Sequence, residues 1–209
     1  MMNQFILYIL ISVFNLSAGA HKHTSPPVKS IEPLKIGSLI PKANVKMENF
    51  LGTKVSMKRA GKANGLLVIF SSNTCVTVVE NHVRIMDVSN HAIKNKVGVM
   101  ILNSNEKNRD GSDSKEVMKA YSEELGYKWL YMIDKNSEMA DAFGATHTPE
   151  CFLFNKLGRL VYRGAIDDCP QNDQDVTRQF VKQAITETAS GLPVSVQVTS
   201  SSGCPIQRK

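Results

Sequence analysis

The sequence predicts an α/β domain with a central mixed sheet and flanking helices, and three observations carry that expectation. Two continuous apolar runs, Gly65–Phe70 and Val97–Leu102, suit central strands covered on both faces, as in a parallel sheet. Between them Cys75, Val79, Val83 and Met86 recur at helical spacing, so an amphipathic helix is expected to cross from one strand to the next. Farther on, Glu150–Phe154 and Leu160–Arg163 read as a hairpin across the turn Asn155-Lys156-Leu157-Gly158.

The other elements follow in chain order. Residues 34–45, punctuated by Gly and Pro, lead into short strands. After the second apolar run, Ser104–Ser112 is a polar loop. Asp113 with Glu116 three residues on resembles a capping box, opening a helix that carries Met118, Tyr121 and Leu125 and ends at Gly126. Trp129–Ile133 reads as a strand, and Ser137–Phe143 as a short helix stopped by Gly144. A last helix is expected to start near Asn172 or Asp173, bury Val176, Phe180, Ala184 and Ile185, and stop at Gly191. Thr148-Pro149 stands just before the hairpin, where a residue without an amide proton fits a strand's first position or a tight turn. A parallel strand-helix-strand half, then an antiparallel hairpin and a terminal helix, is the element order of a thioredoxin fold.

Length and composition bound what this domain can be. The chain has 209 residues, enough for one domain with a real core, and 42% apolar with 21% charged residues is ordinary for a globular protein. The net charge of +6 would favour acidic partners, but Lys and Arg are scattered and no basic run is interleaved with aromatics. No nucleic-acid partner is therefore expected.

The amino terminus differs from the rest. Phe5–Leu16 is apolar, and Ala18-Gly19-Ala20 follows as a small-x-small cleavage site before the chain turns polar at His21. Residues 1–20 read as a secretory signal peptide, too short and wrongly flanked for a stable membrane anchor, although no Lys or Arg precedes the apolar segment. An exported protein, periplasmic or secreted, with no membrane span after cleavage is the expectation. Residues 21–33 would form a flexible leader, 34–190 the domain, and 191–209 a Ser/Thr-rich tail. A mature chain opening His21-Lys22-His23 offers a square-planar nitrogen set for Cu(II) or Ni(II). Short polar leaders are ordinarily only leaders, and neither a metal nor another cofactor is expected.

Export changes how Cys75, Cys151, Cys169 and Cys204 are read, because disulfides persist in an oxidising compartment. Four cysteines allow three complete pairings, and none of the spacings is that of a C-x-x-C zinc site. Cys75 follows a buried strand directly and opens a helix, a position that lowers a thiol's pKa. Cys151 would point along a core strand as a small apolar group. Cys169 lies in a loop after the hairpin and Cys204 in a tail loose enough to travel. Either could resolve an oxidised Cys75, or the two could clasp the tail as a structural disulfide.

The string V-I-F-S-S-N-T-C at positions 68–75 resembles the strand-to-helix turn of the redoxin branch of the thioredoxin superfamily, which includes the alkyl hydroperoxide reductase/thiol-specific antioxidant family. L-N-S-N-E at 102–106, D-A-F-G-A-T-H-T-P-E at 141–150, the segment 152–168 and the terminal G-C-P-I-Q-R are similar to it as well. The resemblance implies a thiol-dependent oxidoreductase of peroxiredoxin-like type, with Cys75 as reactive thiol and Ser72 as its hydroxyl partner, acting on a peroxide or a protein thiol or disulfide. His147, Thr148 and Pro149 would form the turn facing the substrate. Two features depart from the peroxiredoxin pattern: Val68 stands where the proline would be, and Arg84 and Arg163 match the thiolate-stabilising arginine by sign of charge alone. Ser72 also replaces the first cysteine of a local C-x-x-C pair, which removes the ordinary dithiol couple. A thiol–disulfide exchange protein using Cys75 with a distant cysteine, or a redox-silent module binding extended peptides beside Pro149, are the alternatives.

Overall fold

The computed structural model describes residues 31–209; the expected signal peptide, most of the leader and the His21-Lys22-His23 motif lie outside the described residues. The elements run β1 (Lys46–Glu48), β2 (Lys54–Ser56), α1 (Met57–Ala60), β3 (Gly65–Ser71), α2 (Val76–Glu80), α3 (His82–Lys94), β4 (Val97–Asn103), α4 (Lys115–Glu124) and β5 (Leu130–Ile133). The second half contains α5 (Glu138–Phe143), β6 (His147–Thr148), β7 (Glu150–Asn155), β8 (Leu160–Gly164), α6 (Phe180–Ala189) and β9 (Cys204–Pro205). No helix among the described residues is long and apolar enough to cross a membrane.

The main sheet has the order β5-β4-β3-β7-β8, with β3, β4 and β5 parallel and β7 and β8 antiparallel. Its two central strands, β3 and β4, are buried at every position because both faces are covered. Successive side chains point to opposite faces, so Leu67 and Ile69 join one core cluster while Leu66, Val68 and Phe70 join the other. In the second cluster Phe70, Phe143 and Phe152 meet edge-to-face, with centroids 5.2–5.5 Å apart, each pair worth about 0.5–1.5 kcal/mol beyond its buried area. The parallel strands align so that Ser71 lies beside Asn103 and Asn103 beside Ile133. Their carboxyl ends therefore open at one edge of the domain, where open α/β sheets place their ligands.

Three helical expectations need correction. The stripe Cys75, Val79, Val83, Met86 is not one buried face: Val76, Val79 and Val83 are 47–64% exposed, and Val78, Ile85, Val88 and Ala92 pack on the sheet instead. The chain breaks between α2 and α3 at buried Asn81, whose side-chain amide donates to Thr77 O at 2.8 Å and Pro170 O at 2.9 Å, and the break rotates the pattern. Helix α4 is capped by Ser114, whose hydroxyl accepts from Val117 N; Asp113 is fully buried and engaged elsewhere. Asn172 caps only a 3₁₀ turn over Asp173–Asp175, and the last helix starts eight residues later at Phe180. The carboxylate of Asp168 accepts from Thr177 N and Arg178 N, which holds the intervening chain out of a helix.

The segment after α6, expected to be loose, is tied to the domain. Ile206 is buried in a core cluster, and its amide donates to Thr146 O at 3.0 Å. Arg208 Nε donates to Asp141 Oδ1 at 2.8 Å, and β9 pairs antiparallel with β6.

Candidate active site

Strand β3 delivers Ser71 to the open edge of the sheet, and the turn 72–75 starts α2. Ser72 Oγ accepts from Thr74 N and Cys75 N, each at 3.1 Å. These are the bonds of a serine turn, in which a hydroxyl holds the amides two and three residues on; Cys75, the cap residue of α2, makes no side-chain capping bond. Ser72 thus grips the turn's own backbone, and the contact it makes to Cys75 is to the amide.

Cys75 is 3% exposed and joined by a disulfide to half-buried Cys204, with their Cα atoms 5.7 Å apart across 129 positions of sequence. Of the alternatives the sequence leaves open, this pairing excludes a Cys169–Cys204 clasp. The partner reaches Cys75 because β9 lies along β6, with Thr148 opposite Cys204 and His147 opposite Pro205. The approach is close at Gly203: its φ is +155°, and a Cβ there would stand 2.1 Å from Thr148 O. Only glycine fits, on both counts.

Thr148 is buried, precedes the cis peptide to Pro149, and places its carbonyl oxygen 3.1 Å from Cys75 Sγ. In the disulfide this is a contact without a proton; once Cys75 is a thiol, it becomes a hydrogen bond that the thiol donates. His147 is half-buried, and its Nδ1 bonds the Thr146 hydroxyl at 2.9 Å. The Glu150 carboxylate beneath this turn accepts from the amides of Thr146 and His147, and burial pushes its pKa up.

The remaining cysteines stand apart. Cys151 is fully buried on β7, opposite Ile69 and Gly164, and burial pushes its thiol well above the ordinary range. Cys169 is a half-exposed free thiol in the loop before α6. That loop is clamped by Arg84, which pairs with Asp167 at 2.8 Å and donates to Cys169 O and Pro170 O. The Arg84 guanidinium is thereby occupied. Among the described residues, the Cys75 amide donates to Ser72 Oγ, its carbonyl accepts from Val79 N at 3.0 Å and its sulfur lies against Thr148 O, with no arginine in the set. Among the described residues, no group of three or more His, Cys, Asp and Glu side chains is placed to hold a metal ion.

Sequence reasoning missed a buried polar cluster behind the turn. Asn73 N donates to Asp113 Oδ1 at 2.9 Å, and Tyr131 OH donates to Asn73 Oδ1 at 2.6 Å. Asn103 Nδ2 donates to the same Asp113 oxygen at 2.6 Å, and Asn105 Nδ2 reaches Asp113 Oδ2 at 3.4 Å. The available signal was Asn103 closing an otherwise apolar strand, with Asn105 two residues beyond it, since buried polar groups there must find partners inside the protein.

Known proteins resemble the chain in sequence and in fold. The family model described as Redoxin matches residues 35–185. A structure of a hypothetical protein from Sinorhizobium meliloti 1021 superposes with a TM-score of 0.77 at 27% identity, covering 85% of this chain and 97% of that one. An uncharacterized conserved protein from Geobacillus kaustophilus gives a TM-score of 0.77 at 29% identity, covering 84% and 93%. The thioredoxin domain of a thiol-disulfide oxidoreductase from Bacteroides vulgatus, 17% identical with a TM-score of 0.51 over 62% and 88%, shares the fold. No curated protein matches the chain. With its thioredoxin-fold sheet, its cysteine at the start of α2 and a family match over most of its length, the chain belongs to the Redoxin family.

Proposed function

We propose that this protein is an exported thiol–disulfide oxidoreductase whose redox couple is Cys75–Cys204. The observation that carries the reading is the disulfide itself, which supplies from a distant segment the partner that Ser72 denies locally. Persistence of such a bond suits an oxidising compartment.

Cys204 is the more exposed residue of the pair, half-buried where Cys75 is buried, and is taken as the point of attack. A thiolate of a peptide or protein dithiol attacks Cys204 Sγ, the Cys75–Cys204 bond breaks, and its electron pair leaves on Cys75 as thiolate. The substrate's second thiolate then attacks the substrate sulfur of the mixed disulfide and expels Cys204. The substrate dithiol is oxidised by two electrons to a disulfide, and its two protons end on Cys75 and Cys204. The reverse sequence reduces a substrate disulfide. Cys75 regains its proton beside Thr148 O, which accepts a hydrogen bond from the thiol.

The spacing Ser72-x-x-Cys75 favours a second reading, in which a peroxide oxidises Cys75 and Cys204 resolves it. Both readings end in the same disulfide, so the test separates the oxidants. Oxidised protein is mixed with a dithiol peptide, and reduced protein with either a disulfide peptide or hydrogen peroxide, with Cys75 and Cys204 followed by mass spectrometry. Exchange turnover that is lost in Cys75→Ser and Cys204→Ser is expected. Faster oxidation by peroxide than by the disulfide peptide would replace this reading with the peroxidase. A bond resistant to dithiol until the protein unfolds would make it structural.

A further inference from the structure

The buried polar cluster holds both segments that carry the disulfide, at Asn73 before Cys75 and at Gln207 after Cys204. On one side it holds the Cys75 turn: Asp113 Oδ1 accepts from Asn73 N, and Ser112 O accepts from Asn73 Nδ2 at 3.1 Å. On the other it holds the segment after Cys204: Asn105 Oδ1 accepts from Gln207 N at 2.9 Å, and Gln207 O accepts from Lys107 N at 2.9 Å. The link between the two sides is Asn105 Nδ2 to Asp113 Oδ2. Asn73, Asn103, Asn105 and Asp113 are all buried, from 0 to 7% exposed, so water cannot stand in for a lost partner without rearrangement. Asn103 Nδ2 and Asn73 N share one oxygen of Asp113, and Asn103 Nδ2 also reaches Tyr131 OH at 3.1 Å, which fixes the carboxylate's orientation.

We propose that Asp113 and Asn105 are positioning residues that hold the Cys204 segment against the Cys75 turn and thereby set how readily the disulfide is reduced. The equilibrium between two thiols and their disulfide depends on the effective concentration of one sulfur at the other. A tether bridging the two segments raises that concentration and makes the bond harder to reduce. The sulfurs themselves are untouched by either side chain; the effect runs through the backbone at Asn73 and Gln207. This inference rests on the reading of Cys75–Cys204 as a redox couple only for its biological use, because the potential can be measured whether or not substrates turn over.

The experiment is a redox titration of the full chain in glutathione buffers, with the fraction of Cys75–Cys204 disulfide read by mass spectrometry. Asn105→Ala cuts the bond to Gln207 and the link to Asp113. Asp113→Asn keeps an oxygen for Asn73 N but turns an amide toward Asn105, breaking the link alone. Asn105→Ala is expected to lower the equilibrium constant for disulfide closure about tenfold, a rise of about 30 mV in potential for this two-electron couple. Asp113→Asn should give a smaller shift in the same direction. Because both variants cut one path, the double variant should shift less than the sum of the two. A generally weakened fold would lower the melting temperature of oxidised and reduced protein alike and leave the potential in place. That pattern, or shifts that simply add, would overturn the proposal. Absence of exchange turnover in wild-type protein, with the potential shifts intact, would sink the oxidoreductase reading and leave the positioning role standing.

Discussion

Cys75 and Cys151 are buried in the same apolar cluster, 3% and 0% exposed, yet they sit in opposite chemical surroundings. Cys151 lies mid-sheet between Ile69 and Gly164, where nothing favours a thiolate and burial raises its pKa. Cys75 stands at the start of α2, where a turn, a carbonyl oxygen and a second chain segment converge. Burial alone therefore does not decide whether a sulfur reacts; what decides it is whether the fold brings another sulfur within bonding reach.

The largest expected effect breaks this contrast at its centre. Cys204→Ser removes a loop closed over 129 positions, and chain-entropy arguments put the loss at about 4–5 kcal/mol relative to the oxidised protein. Denaturant unfolding of oxidised wild type against the variant measures it, and a difference below about 1 kcal/mol would mean the bond does not constrain the unfolded chain. Next comes Gly203→Ala, which puts a methyl group onto Thr148 O in a backbone conformation that alanine resists. A loss of about 2–3 kcal/mol is expected, together with easier reduction by dithiothreitol as β9 is pushed from β6. Unchanged reduction would show that this close approach does not position Cys204.

Cys151→Ser sharpens the comparison from the other side. A hydroxyl among apolar neighbours should cost about 1–3 kcal/mol in unfolding free energy, while Cys75–Cys204 exchange proceeds at the wild-type rate. Loss of exchange would place Cys151 in the chemistry after all. The smallest effect concerns pH. Burial raises the Glu150 pKa above that of the unfolded chain, so the folded state binds more protons between the ordinary carboxylate value and the raised one. Stability then falls as pH rises through that window. Glu150→Gln keeps an oxygen for the Thr146 and His147 amides and should flatten the curve of melting temperature against pH above the ordinary carboxylate value of 4.5. A curve as steep as wild type would assign the slope to other groups, with buried Asp134, whose pKa is also raised by burial, first among them.

The sheet was legible because its signals are local. Gly65–Phe70 and Val97–Leu102 are apolar at every position, and only a strand covered on both faces needs that. The hairpin and the helix stop at Gly144, whose φ is +67°, follow from turn chemistry read within a few residues. The misread helices failed where a distant group intervened. Pro170 O holds Asn81 and breaks the first helix, while Asp168 holds the amides of Thr177 and Arg178 and delays the last. The site divides the same way. A cysteine opening a helix after a buried strand can be seen in one stretch of sequence, whereas its partner depends on β9 finding β6 across the domain. Nor could spacing show that Ser72 turns its hydroxyl to its own backbone, or that Asp113 leaves the cap to Ser114.

The separation of the two sulfurs also orders events during synthesis. Chains emerge amino-terminal end first, and Cys204 follows every strand of the main sheet and the last helix. Until Cys204 emerges, Cys75 lacks its partner and, as a thiol, can attack any other disulfide it meets, forming a mixed disulfide and releasing one thiol. Closure of the bond is thus a late step in maturation, and a chain that carries it has been made at least as far as residue 204.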